Sequence, residues 1–553
     1  MMIQAITIHE KDDLAVALTD LQKGTEVTVN GTAITLQHTI HAKHKFAMKD
    51  FQAGEEVHMY NVTVGRAKEA IKAGGAVTTA NLTHQSESFS AEDKSSEPFQ
   101  WIAPDTSPWK DTTFMGYHRK DGQVGTANYW LVFPLVFCEN RNIETIKKAF
   151  DKALGFEKQD PYVALVKNMV DRFEKNELGD GSSLDFKLET ITPSRKARVF
   201  ENIDGIRFLT HQGGCGGTRQ DAETLCRLLS GYVNNPNVAG ATVLSLGCQN
   251  AQVKMFTDAL HSINPTIDKP IIIHDQQDTG REQELIKNSI TETFMALVEA
   301  NKQTRQPAPL SKLTIGLECG GSDGFSGISA NPAIGYTSDL VVALGGKAIL
   351  SEFPELCGVE QELINRMDTQ ELAVKFVDIM RRYEKAAVEA GSGFDMNPSP
   401  GNIKDGLITD AMKSAGAAKK GGTSPVRDIL DYTEYANKPG LNLLCTPGND
   451  VESTTGLAGS GANVILFTTG LGTPTGNPIS PVLKLSSNSK LAAKMPDIID
   501  IDTGKVITGE KTIEEMGSEI LNYIIEVASG RKTAKAMDLE QFDFIPWKRG
   551  VSL

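Results

Sequence analysis

Two hydrophobic rhythms divide the chain. From about Thr112 onward, short continuous apolar runs alternate with longer stretches in which apolar residues recur every three or four positions. The runs are NYWLVFPLVF, GIRFLT, GATVLSLG, PIIIH, LTIGLE, KAILS, LNLLC and ANVILFTTG. Between them lie QDAETLCRLLSGYV, AQVKMFTDALHSI, GREQELIKNSITETFMALVEA and TQELAVKFVDIMRRYEKAAVEA. Fully buried strands read as unbroken apolar runs and amphipathic helices as a 3.6-residue period. The alternation therefore predicts an α/β region with mainly parallel sheets covered on both faces. Before it, residues 1–85 predict a small β-rich domain. TEVTVNGTAITL (Thr25–Leu36) alternates around Asn30-Gly31, a hairpin signal, and EEVHMYNVTVG (Glu55–Gly65) and AVTTANLTH (Ala76–His84) predict further strands. Residues 86–111, rich in Ser, Glu and Pro without a sustained period, predict a linker.

Composition narrows the function. The length of 553 residues exceeds one ordinary core, so two to four domains are expected. A net charge of −14 argues against a general nucleic-acid binder, and an acidic substrate would need local cations or a metal. The N-terminal MMIQAITIHEKDD lacks a basic n-region followed by a long apolar run, and Asn128–Cys138 is too short to span a bilayer, so neither a signal peptide nor a membrane segment is expected. Seven unevenly spaced cysteines do not form a disulfide framework, and a reducing cytoplasm is the expected location.

Ligands of open parallel sheets bind at the carboxyl ends of the strands. Five of the seven cysteines, Cys138, Cys215, Cys248, Cys319 and Cys445, fall at such ends, whereas Cys226 sits inside a helical pattern. Each one alone also suits a tight strand-to-helix turn. Together they point to a thiolate-containing site for a soft metal such as iron or zinc. The glycine-rich THQGGCGGTRQD and CGGSDGFSG could present backbone N–H groups to an anion. Neither is a dinucleotide or Walker motif. Ser322, Asp323, Ser326 and Asn331 beside the glycines suit a small polyhydroxylated ligand, although Asp323 and Asn331 equally suit turns and caps. His38, His41, His44, His58 and His84 cluster in the N-terminal segment and form a second metal candidate.

Longer motifs carry a resemblance. LECGGSDGFSGISANPAIG (Leu317–Gly335), Gly116–Cys138, THQGGCG, NPNVAGATVLSLGC, NPSPGN and GANVILFTTGLG resemble the altronate/galactarate dehydratase family, and residues 1–85 resemble its β-clip SAF domain around His44-Lys45. The likeness implies a second domain over 112–300 and a C-terminal domain over 301–553. It implies a hydro-lyase of hexuronate catabolism that removes water from a sugar acid with Fe²⁺ or Mn²⁺. Altronate is favoured, galactarate is the alternative, and a non-catalytic sugar-acid-binding protein is the rival of another class. The site expected from it has His44, His84, Cys215 and Cys319 as metal ligands and Lys45 and His211 as acid and base. Arg119 and Arg219 would hold the carboxylate, and Asn128, Ser322, Asp323, Asn331, Asn402 and Thr468 would read hydroxyls. The partner is a small molecule, with neither nucleic acid nor membrane; whether the chain forms a homo-oligomer is open. Thr78, Ala80, Ala127 and Gln249 depart from the family pattern at expected metal and carboxylate positions.

Overall fold

The computed structural model describes residues 3–156, 161–177 and 198–552. In the N-terminal domain, Glu26–Val29 pairs antiparallel with Thr32–Thr35. The turn residues Asn30 and Gly31 have φ of 49° and 79°, as a two-residue hairpin with the mirror-image turn requires. EEVHMYNVTVG, expected as one strand, folds back on itself. Glu56–Met59 pairs with Val62–Ala67 across Tyr60 and Asn61, both left-handed at φ 60° and 64°. A separate four-stranded sheet of Ala5–Ile6, Leu14–Ala17, Lys45–Ala47 and Ala76–Val77 carries Lys45 inward.

The second domain is built on four parallel strands: β1 (Tyr129–Pro134), β2 (Gly205–Phe208), β3 (Val238–Ser245) and β4 (Ile271–Asp275), in the spatial order β2-β1-β3-β4. Three helices each start a few residues beyond a strand end: α1 (Asn140–Leu154), α2 (Arg219–Asn234) and α3 (Val253–Ile263). The whole of β1 and β3 is buried, which explains their unbroken apolar runs.

The third domain holds a seven-stranded parallel sheet. Its strands are β5 (Thr314–Cys319), β6 (Lys347–Leu350), β7 (Val426–Leu430), β8 (Gly440–Leu444), β9 (Val464–Thr469), β10 (Val482–Ser486) and β11 (Ile501–Asp502), ordered β7-β8-β6-β5-β9-β10-β11. From β5 the chain moves to β6 on one side and later returns to β9 on the other. The strand order therefore reverses at β5, and in such sheets ligands bind in the crevice outside the carboxyl ends of the strands at that point. Around this end lie α4 (Ala330–Ala343), α5 (Asp410–Ala418) and α6 (Asp450–Gly459).

The expected linker is laid along the third domain: Trp101 Nε1 donates to Thr423 Oγ1 (3.1 Å) and Trp109 Nε1 to Asn522 Oδ1 (2.9 Å). A ribbon formed by Thr113–His118 and Gln306–Pro309 follows it. Among the described residues no helix is long and apolar enough to cross a membrane.

Candidate active site

β5 delivers Glu318 and Cys319 to the crevice, and β6 delivers Ser351, Glu352 and Glu355 just beyond its end. Glu352 has φ 68°, an uncommon conformation for a residue with a side chain, and one that clusters at functional sites. Its carboxylate accepts from the Cys319 N–H (3.1 Å) and its own N–H donates to Thr446 Oγ1 (2.8 Å). Cys319 Sγ lies 3.5 Å from Glu352 Oε2 and 3.1 Å from Glu355 Oε2. Two cations complete the cluster. Lys420, in the turn after α5, places Nζ 2.6 Å from Glu352 Oε2 and 2.7 Å from Cys319 Sγ. Lys413 of α5 places Nζ 2.6 Å from Glu355 Oε1 and 2.9 Å from Asn397 Oδ1. Lys420, Glu352 and Cys319 are each no more than 2% exposed.

So many charges without water must balance. Burial alone would raise the Glu355 carboxyl, but Lys413 and Lys420 outweigh it and hold it at about 2. Burial and the charge of Glu352 push Glu318 well above the usual carboxylate range. Glu318 therefore keeps its proton. Its Oε2 accepts from Ser351 Oγ (2.8 Å) and Ser453 Oγ (2.5 Å), and its carboxyl contacts that of Glu352. Oε1 of each carboxyl has no other hydrogen-bond partner, so a proton on Glu318 is what allows the two buried carboxyls to touch. Burial, then Glu352 and Glu355, keep the Cys319 thiol protonated as well. Burial and then Glu355 raise the Glu352 carboxyl too, with Lys420 opposing them; with Glu352 ionised against Lys420, as Glu355 is against Lys413, the charges sum to zero.

The N-terminal domain forms the wall opposite. Lys43 Nζ pairs with Asp323 Oδ2 (3.0 Å) and Asp405 Oδ1 (2.9 Å). Lys45 Nζ donates to the Gly406 carbonyl (2.5 Å) and is fully buried, which lowers its ammonium to about 7. A Cβ on Gly324 would run into the Lys43 and Asp405 carbonyls, so the two domains approach there backbone to backbone. The loop from Cys319 to Gly324 thus links the acid–lysine cluster to the lysines of the N-terminal domain.

The residues expected from the sequence do not converge on one point. Cys319 joins Glu352 and Glu355, with one ligand atom of each within 4.8 Å of the others. His84 forms a different group with Asp410, to which it is paired, and Cys357. His44 sits beside Lys45, half-buried, with its imidazolium disfavoured by burial and then by Lys45. Cys215 is in the second domain. The four expected metal ligands therefore occupy separate places, because their loops top different sheets and domains. His211 has both ring nitrogens engaged: Nε2 with the Pro134 carbonyl (2.8 Å) and Nδ1 with the Gly213 N–H (3.1 Å), with burial lowering it to about 4. Neither nitrogen is free to move a proton. Arg119 is spent on the Pro236 carbonyl, Gln303 and Asn128, and the Asn128 amide on Asn202, all at the amino end of β1, away from any strand-end ligand. Arg219 is exposed in the first turn of α2.

Ser322, Asp323, Asn331, Asn402 and Thr468 do gather around the β5 and β9 ends, but largely bind one another. Asn402 Nδ2 donates to the Ser322 carbonyl (2.7 Å) and Thr468 Oγ1 to Asn331 Oδ1 (2.7 Å). Asp323 accepts from Ser326, Ser487 and Asn488. They shape the crevice floor. The sequence reading missed Glu352, Glu355, Lys413 and Lys420. Their signal was modest: two acids in the polar patch SEFPELCG after a predicted strand, Lys420 before the glycines of KKGG, and Lys413 alone in the small-residue stretch DAMKSAGAA.

Matches to known proteins cover all three parts of the chain. The model described as "Altronate/galactarate dehydratase SAF domain" matches residues 3–85, "D-galactarate dehydratase/Altronate hydrolase, second domain" residues 116–301, and "D-galactarate/Altronate dehydratase, C-terminal" residues 310–552. Altronate dehydratase of Escherichia coli K12 is 34% identical over 554 aligned residues, covering 100% of both chains. The chain belongs to the altronate/galactarate dehydratase family. Within it, altronate dehydratase of Bacillus subtilis 168 is 32% identical with 99% of each chain covered. Galactarate dehydratase (L-threo-forming) of Escherichia coli K12 is 29% identical, with 95% of this chain and 93% of the relative covered. Such relatives support a hydro-lyase that acts on a sugar acid. A buried set of fixed charges at a sheet's switch point suits that chemistry, because dehydration beside a carboxylate builds negative charge that must be met in place.

Proposed function

We propose that the chain converts D-altronate to 2-dehydro-3-deoxy-D-gluconate plus water in the crevice above β5, with Fe²⁺ or Mn²⁺ held by Cys319, Glu352 and Glu355. The observation that carries the substrate is full-length identity to two altronate dehydratases at 34% and 32%, against 29% for the galactarate enzyme. What supports the metal is the donor set. One thiol and two carboxylates already converge, with the Lys420 ammonium held between Sγ and Glu352 where positive charge is favoured. Mixed sulfur and oxygen ligands suit iron and manganese better than magnesium or calcium. A bound divalent ion would supply Lewis-acid stabilisation of the charge that builds on the substrate carboxylate.

The chain's own residues do the rest. The substrate loses the proton beside its carboxylate and then the neighbouring hydroxyl, and the enol product becomes the 2-keto-3-deoxy acid. Lys45 is the base in this reading: burial keeps a fraction of it neutral near pH 7, where an exposed lysine would be fully protonated. The N-terminal domain, packed on Gly324 and Gly406, excludes water from that wall.

Anaerobic initial rates with D-altronate and with galactarate, read as 2-keto acid released, test this. At least tenfold preference for altronate is expected, and preference for galactarate would overturn the substrate assignment. Chelated protein should lose turnover and regain it with Fe²⁺ or Mn²⁺; undiminished turnover in metal-free protein would sink the metal.

A further inference from the structure

The carboxyl edge of the second domain's sheet carries three cysteines that the crevice above β5 does not use. Cys138 follows β1, Cys215 lies on the loop after β2, and Cys248 follows β3, so they top three adjacent strands. All three are exposed, unusual for a residue type that is normally buried. Their loops are bonded to one another: the Phe137 N–H donates to the Gly213 carbonyl (3.1 Å) and the Ala251 N–H to the Gly214 carbonyl (3.1 Å). Gly214, at φ 93°, lies so close to the Leu135 carbonyl that a Cβ would clash with it. His211 pins the same loops, bridging the Pro134 carbonyl to the Gly213 N–H. Two of the thiols meet: the Cys138 side chain lies within hydrogen-bond reach of that of Cys215.

Each cysteine also precedes a helix. α1 begins two residues after Cys138, α2 four after Cys215 and α3 five after Cys248. Three positive helix ends therefore meet three groups that become anionic as thiolates. The chain's C-terminal tail holds the outside of this arrangement, with Ser552 bridged to Gly217 and the Arg549 and Gly550 N–H groups donating to Asp221.

The geometry points to an iron–sulfur cluster held by the thiolates of Cys138, Cys215 and Cys248. A single metal ion needs its ligand atoms in one tight shell. Among the described residues, the groups with three ligand atoms mutually within 4.8 Å are Cys319–Glu352–Glu355 and His84–Cys357–Asp410, and the three thiols are not one of them. Thiolates set wider than one ion requires, on loops fixed by glycine and backbone bonds, are what a polynuclear cluster takes. Assembly from two ferrous ions, two ferric ions and four sulfides releases the three thiol protons and needs no further oxidant or reductant. No fourth thiolate is at hand: Cys226 is inside α2, and Cys319, Cys357 and Cys445 belong to the third domain. A four-iron cluster here therefore keeps one iron free of protein sulfur on the solvent side.

The test uses the full chain purified anaerobically and does not depend on turnover. Acid-labile sulfide should be present with at least as much iron, together with a broad visible charge-transfer absorption that dithionite bleaches. Cys138→Ser, Cys215→Ser and Cys248→Ser should each lower sulfide at least fivefold, while Cys357→Ser leaves it unchanged. Melting curves of the cluster-free proteins separate ligand loss from misfolding, because three exposed thiols contribute little to the core. Protein with no sulfide after anaerobic purification and after reconstitution with iron and sulfide would overturn the inference. So would iron or zinc bound without sulfide, or sulfide that survives the triple substitution.

Discussion

Lys420→Met is the sharpest probe of the cluster above β5. Methionine keeps the length and apolar body of the side chain, so the substitution removes chiefly the ammonium. In the native protein that ammonium touches Glu352 Oε2 at 2.6 Å and Cys319 Sγ at 2.7 Å, with both partners buried. Without it, Glu352 is a buried carboxylate left with the Cys319 N–H and the Glu318 proton. Breaking a buried ion pair by deleting one partner costs about 3–5 kcal/mol. For a domain the size of the third, roughly 2–4 °C is lost per kcal/mol, so the melting point of metal-free protein should fall by about 6–20 °C. The second half of the experiment adds Glu352→Gln. Replacing both charges removes the uncompensated ion, so the double variant should be more stable than Lys420→Met alone and the two effects should be strongly non-additive. Scanning calorimetry of wild type, both single variants and the double variant gives the cycle. A Lys420→Met melting point within about 1 °C of wild type, or additive effects, would show that the lysine does not neutralise Glu352 and that the balance of charges argued above is wrong.

Other consequences are as direct. The folded-state pKa of Lys45, about 7, lies below the ordinary lysine value, so the folded chain gives up a proton that the unfolded chain retains. The cost of burying it is fully present below pH 7 and is relieved as pH rises toward about 10, so stability should climb over that window in wild type and less in Lys45→Met. The kcat/KM profile should show an acidic limb, rising with pH through an apparent pKa of about 7, that vanishes in Lys45→Met; an unchanged limb would remove Lys45 as the base. Lys43→Ala deletes the pairs to Asp323 and Asp405 and should loosen the N-terminal domain, read as faster limited proteolysis near residues 86–111, with KM rising more than kcat falls. Arg119→Lys should cost about 2–4 kcal/mol of stability, because its bonds to Pro236, Gln303 and Asn128 are buried, yet leave KM for the sugar acid unchanged. A raised KM there would return Arg119 to the substrate.

The α/β alternation was legible because β1, β3, β5 and β9 are buried on both faces and must be apolar throughout. β7 and β10 were not, for they carry charge within the sheet: Arg427 and Asp428 in one, and in the other Lys484, whose ammonium reaches Gln541. The division of the Glu55–Gly65 run at Tyr60-Asn61 was hidden because left-handed tyrosine lies outside the usual turn vocabulary. Strand ends were legible as places for chemistry, and the cysteines marked them. What a linear pattern does not carry is which sheet an end belongs to. Cys215 and Cys319 end equivalent runs and sit beside similar glycines, so they read as partners, yet one tops β2 in the second domain and the other β5 in the third. The partners each acquires are decided by neighbouring strands. Beside β5 is β6, which brings Glu352 and Glu355; beside β2 and β3 is β1, which brings Cys138. Sulfur at the first site is therefore surrounded by carboxylates and lysines, and at the second by sulfur. On the two proposals above, the one expected set of metal ligands becomes two sites of different chemistry, so selective loss of iron from one of them by substitution at Cys319 or at Cys215 should leave the metal content of the other intact.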